Sequence, residues 1–214
     1  MILSSRIREI SNEVSRRMGD KRFHHTLGVA EAALRLAEYC LPEKRVELYL
    51  AGLLHDVSKE LNTGEQLDLI RNSKEVYTDS DIICEAAHHS LTAPTVILRD
   101  FSDVASDDIL SAVRNHTLGS PDMSIFDEII FISDYIEDGR TYTDCIRVRK
   151  SLYSALEAAS NREECIQHLH RATREILDYT IIYIISKGAF LHERTVQTRN
   201  AFLSREPMPL FKRN

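Results

Sequence analysis

Apolar residues recur at intervals of three and four along almost the whole chain, and this spacing is the feature that most restricts the fold. The clearest example is the segment 163–187, in which Ile166, Leu169, Ile176 and Ile184 share one stripe. Such spacing places apolar side chains on one face of an α-helix. Only 7 Gly and 5 Pro interrupt the 214 residues, which leaves few turns for a fold of many strands. The sequence therefore predicts an all-α protein.

Several predicted helices carry boundary signals as well as an apolar stripe. Thr78, Ser106 and Ser124 are suited to cap helix starts, and Gly188 is suited to end the longest helix. We expect Pro94 to open a short helix. The predicted helices cover residues 7–18, 22–40, 43–57, 64–72, 78–89, a short segment from 94, 109–116, 124–138, 144–159 and 163–187.

Length and composition indicate one domain. A chain of 214 residues with 43% hydrophobic and 28% charged residues is ordinary for a globular protein with a proper core. No composition shift or linker divides it. We expect a single domain over residues 1–200 and an irregular tail over 201–214, where Pro207 and Pro209 interrupt any helix.

Charge, cysteines and hydropathy restrict the setting. A net charge of -6 and a pI near 5.9 argue against a general nucleic-acid-binding surface. The four cysteines are scattered without a Cys-x-x-Cys pair, which is typical of reduced thiols. The N-terminus lacks an apolar signal core, and no run approaches ~18 apolar residues. We expect a cytoplasmic protein with no nucleic-acid or membrane partner; oligomeric state is left open, with a homodimer as one alternative.

Two residues able to bind a metal, His55 and Asp56, lie side by side after an apolar run. Imidazole nitrogen and carboxylate oxygen are ligands of first-row metals. Adjacent residues of a helix point about 100° apart, so both reach one ion only beside the last turn. Ala51 and Gly52, one turn earlier, leave room for a neighbouring helix or an ion.

Three further polar residues are predicted to point inward. His25 shares a helix face with Val29, and His116 lies one turn after Ala112. Asp134 lies one turn beyond two apolar residues, so the pattern directs a carboxylate at the core. Buried carboxylates are normally paired or bound to metal. The alternatives are a core histidine with its hydrogen bonds satisfied and a buried salt bridge.

These positions combine into a candidate metal site on three predicted helices. Two imidazoles and two carboxylates would leave one or more coordination positions open for water or substrate. In a helical bundle His88 and His116 would be near enough to be second-metal ligands or phosphate contacts, and both roles stay open. The candidate ligands are His25, His55, Asp56 and Asp134.

Positive charge occurs at the same places in the sequence. Arg22, Lys59 and Arg140 lie three, three and six residues from a candidate ligand. Each alone is explained by a solvated surface charge. Three together indicate a phosphate chain beside a metal.

Four sequence blocks resemble a known family. The order His25, His55-Asp56, Asp134 is that of the HD superfamily of metal-dependent phosphohydrolases. The longer match resembles its YqeK-like branch, the symmetrical bis(5'-nucleosyl)-tetraphosphatases of bacteria, and covers roughly residues 20–200. The blocks are RFHHTLGVA at 22–30, GLLHDVSK at 52–59, AVRNHT at 112–117 and SDYIEDGR at 133–140, followed by Thr195 and Arg199-Asn200.

The resemblance implies an HD-domain helical bundle and an iron-dependent hydrolase that cuts diadenosine tetraphosphate into two ADP, with manganese, cobalt or zinc as alternative metals. It implies metal ligands at His25, His55, Asp56 and Asp134, and catalytic roles for His55, Asp56 and His116. It also places residues 188–195 near the base or ribose. His24 and His89 are the neighbouring alternatives to His25 and His88. The implied substrate-binding residues are Arg22, Asp56, Val57, Ser58, Lys59, His88, His116, Thr117, Asp134 and Arg140.

Three other interpretations remain open at this point. An HD phosphohydrolase acting on a dNTP, a cyclic nucleotide or a guanosine polyphosphate differs in its products. A non-catalytic nucleotide-sensing module would lack a ligand, and none is missing. A helical bundle with incidental histidines would have to explain an inward Asp134 without a metal.

Overall fold

The computed structural model describes residues 2–205. All regular structure in this range is helical, so the predicted all-α class is confirmed. Two short 3-10 turns, at Pro42–Lys44 and Glu85–Ala87, accompany the α-helices. The α-helices of the described range are α1 (Ile2–Arg16), α2 (Asp20–Cys40), α3 (Arg45–Leu54), α4 (Thr63–Arg71), α5 (Asp79–Ile83), α6 (His88–Asp100), α7 (Asp107–Asn115), α8 (Ile125–Ile136), α9 (Thr143–Ala158), α10 (Arg162–Ser186) and α11 (Glu193–Arg205).

The predicted helix caps are present. Thr78, Ser106 and Ser124 each accept a hydrogen bond from the backbone amide three residues later, which satisfies a donor that the first helical turn leaves free. Gly188 follows α10 with φ +61°, the left-handed conformation that a glycine adopts without steric cost. Local sequence therefore determines these boundaries.

Two predictions around α6 were wrong. The helix expected over 78–89 ends at Ile83, because Cys84 leaves the helical conformation and packs its buried side chain against Ala87. Pro94 lies inside α6 and not at its start. A proline removes one backbone hydrogen bond from a helix interior, but α6 buries both flanks of Pro94, and Val96 is 2% exposed. Packing therefore outweighs the local preference.

The last helix, α11, was not predicted. Its buried face consists of Thr195, Thr198 and Phe202. Because two of these three residues are threonines, the sequence shows no apolar stripe at helical spacing. The helix covers residues 201–205 of the segment predicted as an irregular tail. Residues 206–214 of that segment lie outside the described range. In the part of the chain that is described, no helix is both long and apolar enough to cross a membrane.

The packing of α2 on α3 and α8 forms the centre of the core and brings functional segments to one side. A Cβ on Gly52 would lie 2.6 Å from the Cα of Ala30, so only glycine permits this approach of α3 to α2. The end of α3 leads directly into His55, and the end of α7 leads into His116. The start of α6 and the last turns of α8 lie on the same side of the molecule as these two histidines, and together they line a cavity.

Candidate metal and phosphate site

The helix ends surround a cavity of about 1470 Å³. This volume exceeds the range of about 300–1,000 Å³ that is usual for sites of small ligands. Aromatic side chains, including Tyr135 and Tyr142, line part of its wall. Charged and hydrogen-bonding side chains line the rest, among them Lys21, Arg22, His24, His25, Asp56, Lys59, Glu60, His89, His116, Thr117, Asp134, Glu137 and Arg140.

Two overlapping groups of side chains offer metal-ligand atoms within 4.8 Å of one another. One group joins His25 and Asp134 to His55, and the other joins Asp56 and His116 to the same His55. The Nε2 atom of His25 lies 3.0 Å from Oδ1 of Asp134. The His55 ring centroid lies 5.4 Å from that of His25 and 5.0 Å from that of His116. The four predicted metal ligands are therefore divided between two groups that share His55, and His116 belongs to the group of Asp56.

His55 is the central residue of both groups. Its Nδ1 lies 2.7 Å from the carbonyl oxygen of Gly52, so Nδ1 carries the hydrogen and donates it. The opposite atom, Nε2, is buried and has no hydrogen-bond partner. Burial lowers the pKa of His55 to about 4, so the ring is neutral. A neutral imidazole with a free, buried Nε2 and its other nitrogen fixed to a carbonyl fits a metal ligand.

The two aspartates are held in the ionised form that metal binding needs. Burial alone raises the pKa of Asp56, but His55, His116 and His89 outweigh burial and hold it well below the usual value. The pKa of Asp134 is likewise held well below its usual value, because His25 and Arg140 outweigh burial.

His25 is held by two carboxylates. Burial lowers its pKa, but hydrogen bonds with Asp134 and Glu137 outweigh burial and raise the pKa to about 9. The Asp134 contact is made at Nε2 and the Glu137 contact at Nδ1. Of the paired histidines 24 and 25, it is therefore His25 that enters the candidate ligand group.

The three predicted cations line the cavity and contact site residues. Arg22 donates to Oδ2 of Asp56 over 2.7 Å, and Arg140 donates to Oδ1 of Asp134 over 2.7 Å. The Nζ atom of Lys59 lies 2.9 Å from Nδ1 of a histidine in the cavity wall. Burial lowers the pKa of this lysine. The cations therefore stand beside the candidate ligands, as a site for metal and phosphate requires.

The histidine that Lys59 contacts is His89, and not His88, to which the sequence assigned a phosphate contact. His88 lies outside the cavity lining, with its Nε2 2.9 Å from the carbonyl oxygen of Ile82. His89 Nε2 lies 3.1 Å from both His116 Nε2 and Thr117 Oγ1. Adjacent helical residues point in different directions, so one position decides which ring enters the cavity. The sequence His88-His89 alone does not show which of the two rings faces the cavity.

Other expected substrate contacts also lie outside the cavity lining. Val57 is buried in the apolar core, and the Ser58 hydroxyl donates to the carbonyl oxygen of His89 over 2.8 Å. Residues 188–195 are absent from the lining of this cavity as well. His192 and Arg194 instead contact Asp81, at 3.2 Å and 3.0 Å. These side chains are already engaged in connecting helices, whereas Thr117 lines the cavity as expected.

Glu137 is a site residue to which sequence reasoning assigned no role. It is 3% exposed and lies 3.2 Å from Nδ1 of His25. Its three-residue spacing from Asp134 was the available signal, because residues three apart in a helix share a face.

The fold and the site define an all-α protein whose clustered histidines and aspartates form a site for a divalent metal. A profile of the HD domain family matches residues 22–139, which include all four predicted metal ligands. A protein of Bacillus subtilis named "Bis(5'-nucleosyl)-tetraphosphatase, symmetrical" is 31% identical over 89% of this chain and 94% of its own length. A protein of the same name from Halalkalibacterium halodurans is 30% identical over 86% of this chain and 90% of its own length.

A solved structure also resembles this chain over nearly its whole length. A crystal structure from Clostridium acetobutylicum, described as a predicted HD superfamily hydrolase involved in NAD metabolism, superposes with a TM-score of 0.81. It is 31% identical, and the match covers 94% of this chain and 98% of that one. The chain therefore belongs to the HD domain family and, within it, to the family of the symmetrical bis(5'-nucleosyl)-tetraphosphatase relatives. The family expected from the four sequence blocks is confirmed.

Proposed function

We propose that this chain hydrolyses dinucleoside polyphosphates, diadenosine tetraphosphate above all, and releases two ADP. The observation that carries the proposal is the unpartnered Nε2 of His55, at the meeting point of two ligand groups beside a cavity lined by three cations. Relatives that cover nearly the whole chain bear the name of this activity. The similarity to these relatives supports diadenosine tetraphosphate as the substrate, and the candidate metal and phosphate site supports hydrolysis as the reaction.

The donor set suits a first-row metal. Two imidazoles and two carboxylates accept iron, manganese, cobalt or zinc, and the resemblance to the symmetrical tetraphosphatases favours iron. We assign His25, His55, Asp56 and Asp134 as the ligands. When bound, the ion supplies Lewis-acid activation of the attacking water and neutralises phosphate charge.

The cations of the cavity wall have a separate task. Arg22, Lys59 and Arg140 would bind the phosphate oxygens and share their negative charge. Arg22 is one-third exposed and Arg140 similarly so, which leaves both able to exchange a carboxylate partner for a phosphate. Thr117 can add a hydroxyl donor to the same wall.

In the neutral form with its hydrogen on Nδ1, His116 fits a metal ligand better than a general acid or a phosphate contact, because both of the latter need a hydrogen on Nε2. Its Nδ1 lies 2.6 Å from the carbonyl oxygen of Val113, so this nitrogen carries the hydrogen. Its Nε2 then keeps a lone pair, 3.7 Å from Oδ1 of Asp56. A neutral ring in this tautomer accepts a hydrogen bond and has no proton to give at Nε2. Because ADP leaves as a stable anion, the reaction needs little help from an acid.

Symmetrical cleavage follows from how the substrate is held. The cavity is large enough to receive a phosphate chain with nucleoside attached. If the cations bind one nucleoside diphosphate half, attack at the terminal phosphorus of that half breaks the central anhydride. In-line attack then releases the second half as ADP.

Product analysis tests this proposal. Metal-loaded protein given diadenosine tetraphosphate should release two ADP per substrate, separated by ion-exchange chromatography. Equal amounts of ATP and AMP would contradict symmetrical cleavage. Tripolyphosphate from a dNTP, a linear monophosphate from a cyclic nucleotide, or pyrophosphate from a guanosine polyphosphate, at a higher kcat/KM, would assign the site to a different nucleotide.

The variant His55→Ala tests the metal centre. It should lose turnover together with bound metal, measured by elemental analysis of the purified protein. A matched control is His170→Ala, since His170 pairs with Glu128 away from the cavity. Retained activity in His55→Ala at full metal occupancy would count against the scheme.

A further inference from the structure

The contacts of Glu137 fix the position of its carboxylate on both oxygens. Oε1 lies 3.2 Å from Nδ1 of His25, on the side of the ring opposite to Asp134. Oε2 accepts a hydrogen bond of 2.5 Å from the backbone amide of Gly139. The side chain is 4% exposed, so water does not compete for either oxygen. One carboxylate thus joins the imidazole of α2 to the turn that follows α8.

Two glycines provide the space that the Glu137 carboxylate occupies. A Cβ on Gly28 would lie 2.5 Å from Oε2 and 3.3 Å from the carboxyl carbon. A Cβ on Gly139 would lie 2.9 Å from the same oxygen. Contacts below 3.0 Å are forbidden by packing, so any larger residue at position 28 has to displace the carboxylate. The pocket for this group is therefore specific in shape.

Arg149 of α9 holds the backbone that carries Glu137. Its guanidinium donates hydrogen bonds to the carbonyl oxygens of Ile136 at 2.5 Å, Glu137 at 2.5 Å and Arg140 at 2.8 Å. A planar guanidinium with five donors is suited to bridge several carbonyls of one turn. The turn between α8 and α9 is therefore fixed to α9 and does not depend on His25 for its shape.

We propose that Glu137 is a positioning residue for metal binding, which accepts the Nδ1 hydrogen of His25 and so directs the Nε2 atom of that ring toward the ion, which displaces the Nε2 proton on binding. The proposal rests on the metal site proposed above. Histidine ligands commonly donate their second ring hydrogen to a carboxylate, which fixes the tautomer and orientation and strengthens the ligand. For His55 and His116 a backbone carbonyl has this role. His25 alone among the three uses a side chain.

Glu137→Gln is the direct test. Glutamine has one acceptor oxygen, so it can serve the His25 ring or the Gly139 amide but not both. We expect metal affinity, measured by chelator competition with cobalt(II), to fall roughly 10- to 100-fold. The visible absorption of the cobalt(II) protein should also change, because the His25 ligand is reoriented. At saturating metal, kcat should fall by a smaller factor than the metal affinity does.

Glu128→Gln is the matched control. Glu128 is also buried and also contacts the Nδ1 of a histidine, His170 at 2.9 Å, but it lies within α8 and does not line the cavity. Its variant should keep the wild-type metal affinity and cobalt spectrum. Equal loss of metal in both glutamine variants would show a general effect of a buried substitution and would overturn the proposal.

Gly28→Ala tests the same contact with the carboxylate still present. The new methyl group displaces Oε2 of Glu137, so the variant should weaken metal binding in the same direction as Glu137→Gln. Circular dichroism identifies which variants fold, and the metal affinity of the folded variants tests the proposal. Wild-type affinity and an unchanged cobalt spectrum in a folded variant would overturn the proposal. Because metal affinity is read without substrate, these results are independent of whether diadenosine tetraphosphate is hydrolysed.

Discussion

The two ends of α8 each hold an acidic residue against a histidine, but only one end forms part of the candidate site. Near the start of the helix, Glu128 is fully buried and contacts His170, Thr173 and Arg205. At the other end, Asp134 contacts His25 beside the cavity. Both ends pair a carboxylate with an imidazole, and the surroundings of the two pairs differ.

Each end has a buried polar atom without a hydrogen-bond partner, and what differs is whether potential metal ligands surround that atom. At the Glu128 end the Oε2 atom accepts hydrogen bonds from His170 and Thr173, both at 3.0 Å. At the Asp134 end the buried Nε2 of His55 has no partner and belongs to both groups of potential metal ligands, whereas the unpartnered Oδ1 of Asp127, next to Glu128, belongs to no such group in the described part of the chain. A buried polar atom without a partner is costly unless something binds it. The first end therefore connects helices, and the second is open to a ligand.

The pKa values of the two acidic residues are shifted in opposite directions. Burial raises the pKa of Glu128, and the contact with His170 does not reverse that rise. For Asp134, the contact with His25 and the charge of Arg140 outweigh burial and lower the pKa. Several cationic groups at one end keep a carboxylate charged, and charged carboxylates are what a metal site needs.

The largest expected effect comes from Asp134→Ala. Removing this ligand should lower turnover of diadenosine tetraphosphate about a thousandfold or more, equivalent to about 4 kcal/mol of transition-state stabilisation. Bound metal should fall with it, while the helical circular dichroism stays near that of the wild type, because the side chain is 24% exposed. Rates at saturating metal and elemental analysis measure both effects. Near-normal turnover of Asp134→Ala with one equivalent of bound metal would show that the Asp134 end of α8 is not a metal site.

An intermediate effect is expected from Glu128→Ala, now on stability. The change leaves His170, Thr173 and Arg205 without their acceptor, at a cost of about 2 kcal/mol, since the histidine and arginine can still reach water. The midpoint of thermal unfolding should fall by roughly 4–8 °C. Turnover per folded molecule at 25 °C should stay at the wild-type level. Loss of bound metal without loss of stability would contradict the structural role of this end.

The smallest effect is a dependence on pH. Because the folded pKa of Glu128 is raised above the ordinary value of 4.5, its contribution to stability is fully present below pH 4.5 and is lost as pH rises through the folded pKa. Relative to Glu128→Gln, the metal-free wild type should therefore lose unfolding free energy as pH rises from 4 toward 7, by roughly 1 kcal/mol per pKa unit. Urea unfolding at several pH values measures the difference.

Glu43→Gln is the control for the sign of that slope. A backbone hydrogen bond and Arg162 lower the pKa of Glu43, so its contribution is present above the unfolded pKa and is lost as pH falls. Its difference from the wild type should change with pH in the opposite direction. The same slope for both variants would contradict the assignment of a raised pKa to Glu128.

Helical periodicity and cap residues in the sequence by themselves determined the all-α class and most helix boundaries, because these depend on contacts within a few residues. The same periodicity directed His25, His116 and Asp134 inward, since a polar residue on an apolar face has few stable alternatives. Ser124 shows the principle at the level of a single cap, where the sequence signal and the observed hydrogen bond agree.

Only the tertiary structure decided which equivalent-looking residues share a site. The entry of His89 into the cavity in place of His88 depends on the helical phase after the break at Cys84. The different tasks of Glu128 and Glu137 depend on which helix packs against each end of α8. These outcomes follow from distances between segments far apart in the chain, which no local pattern specifies.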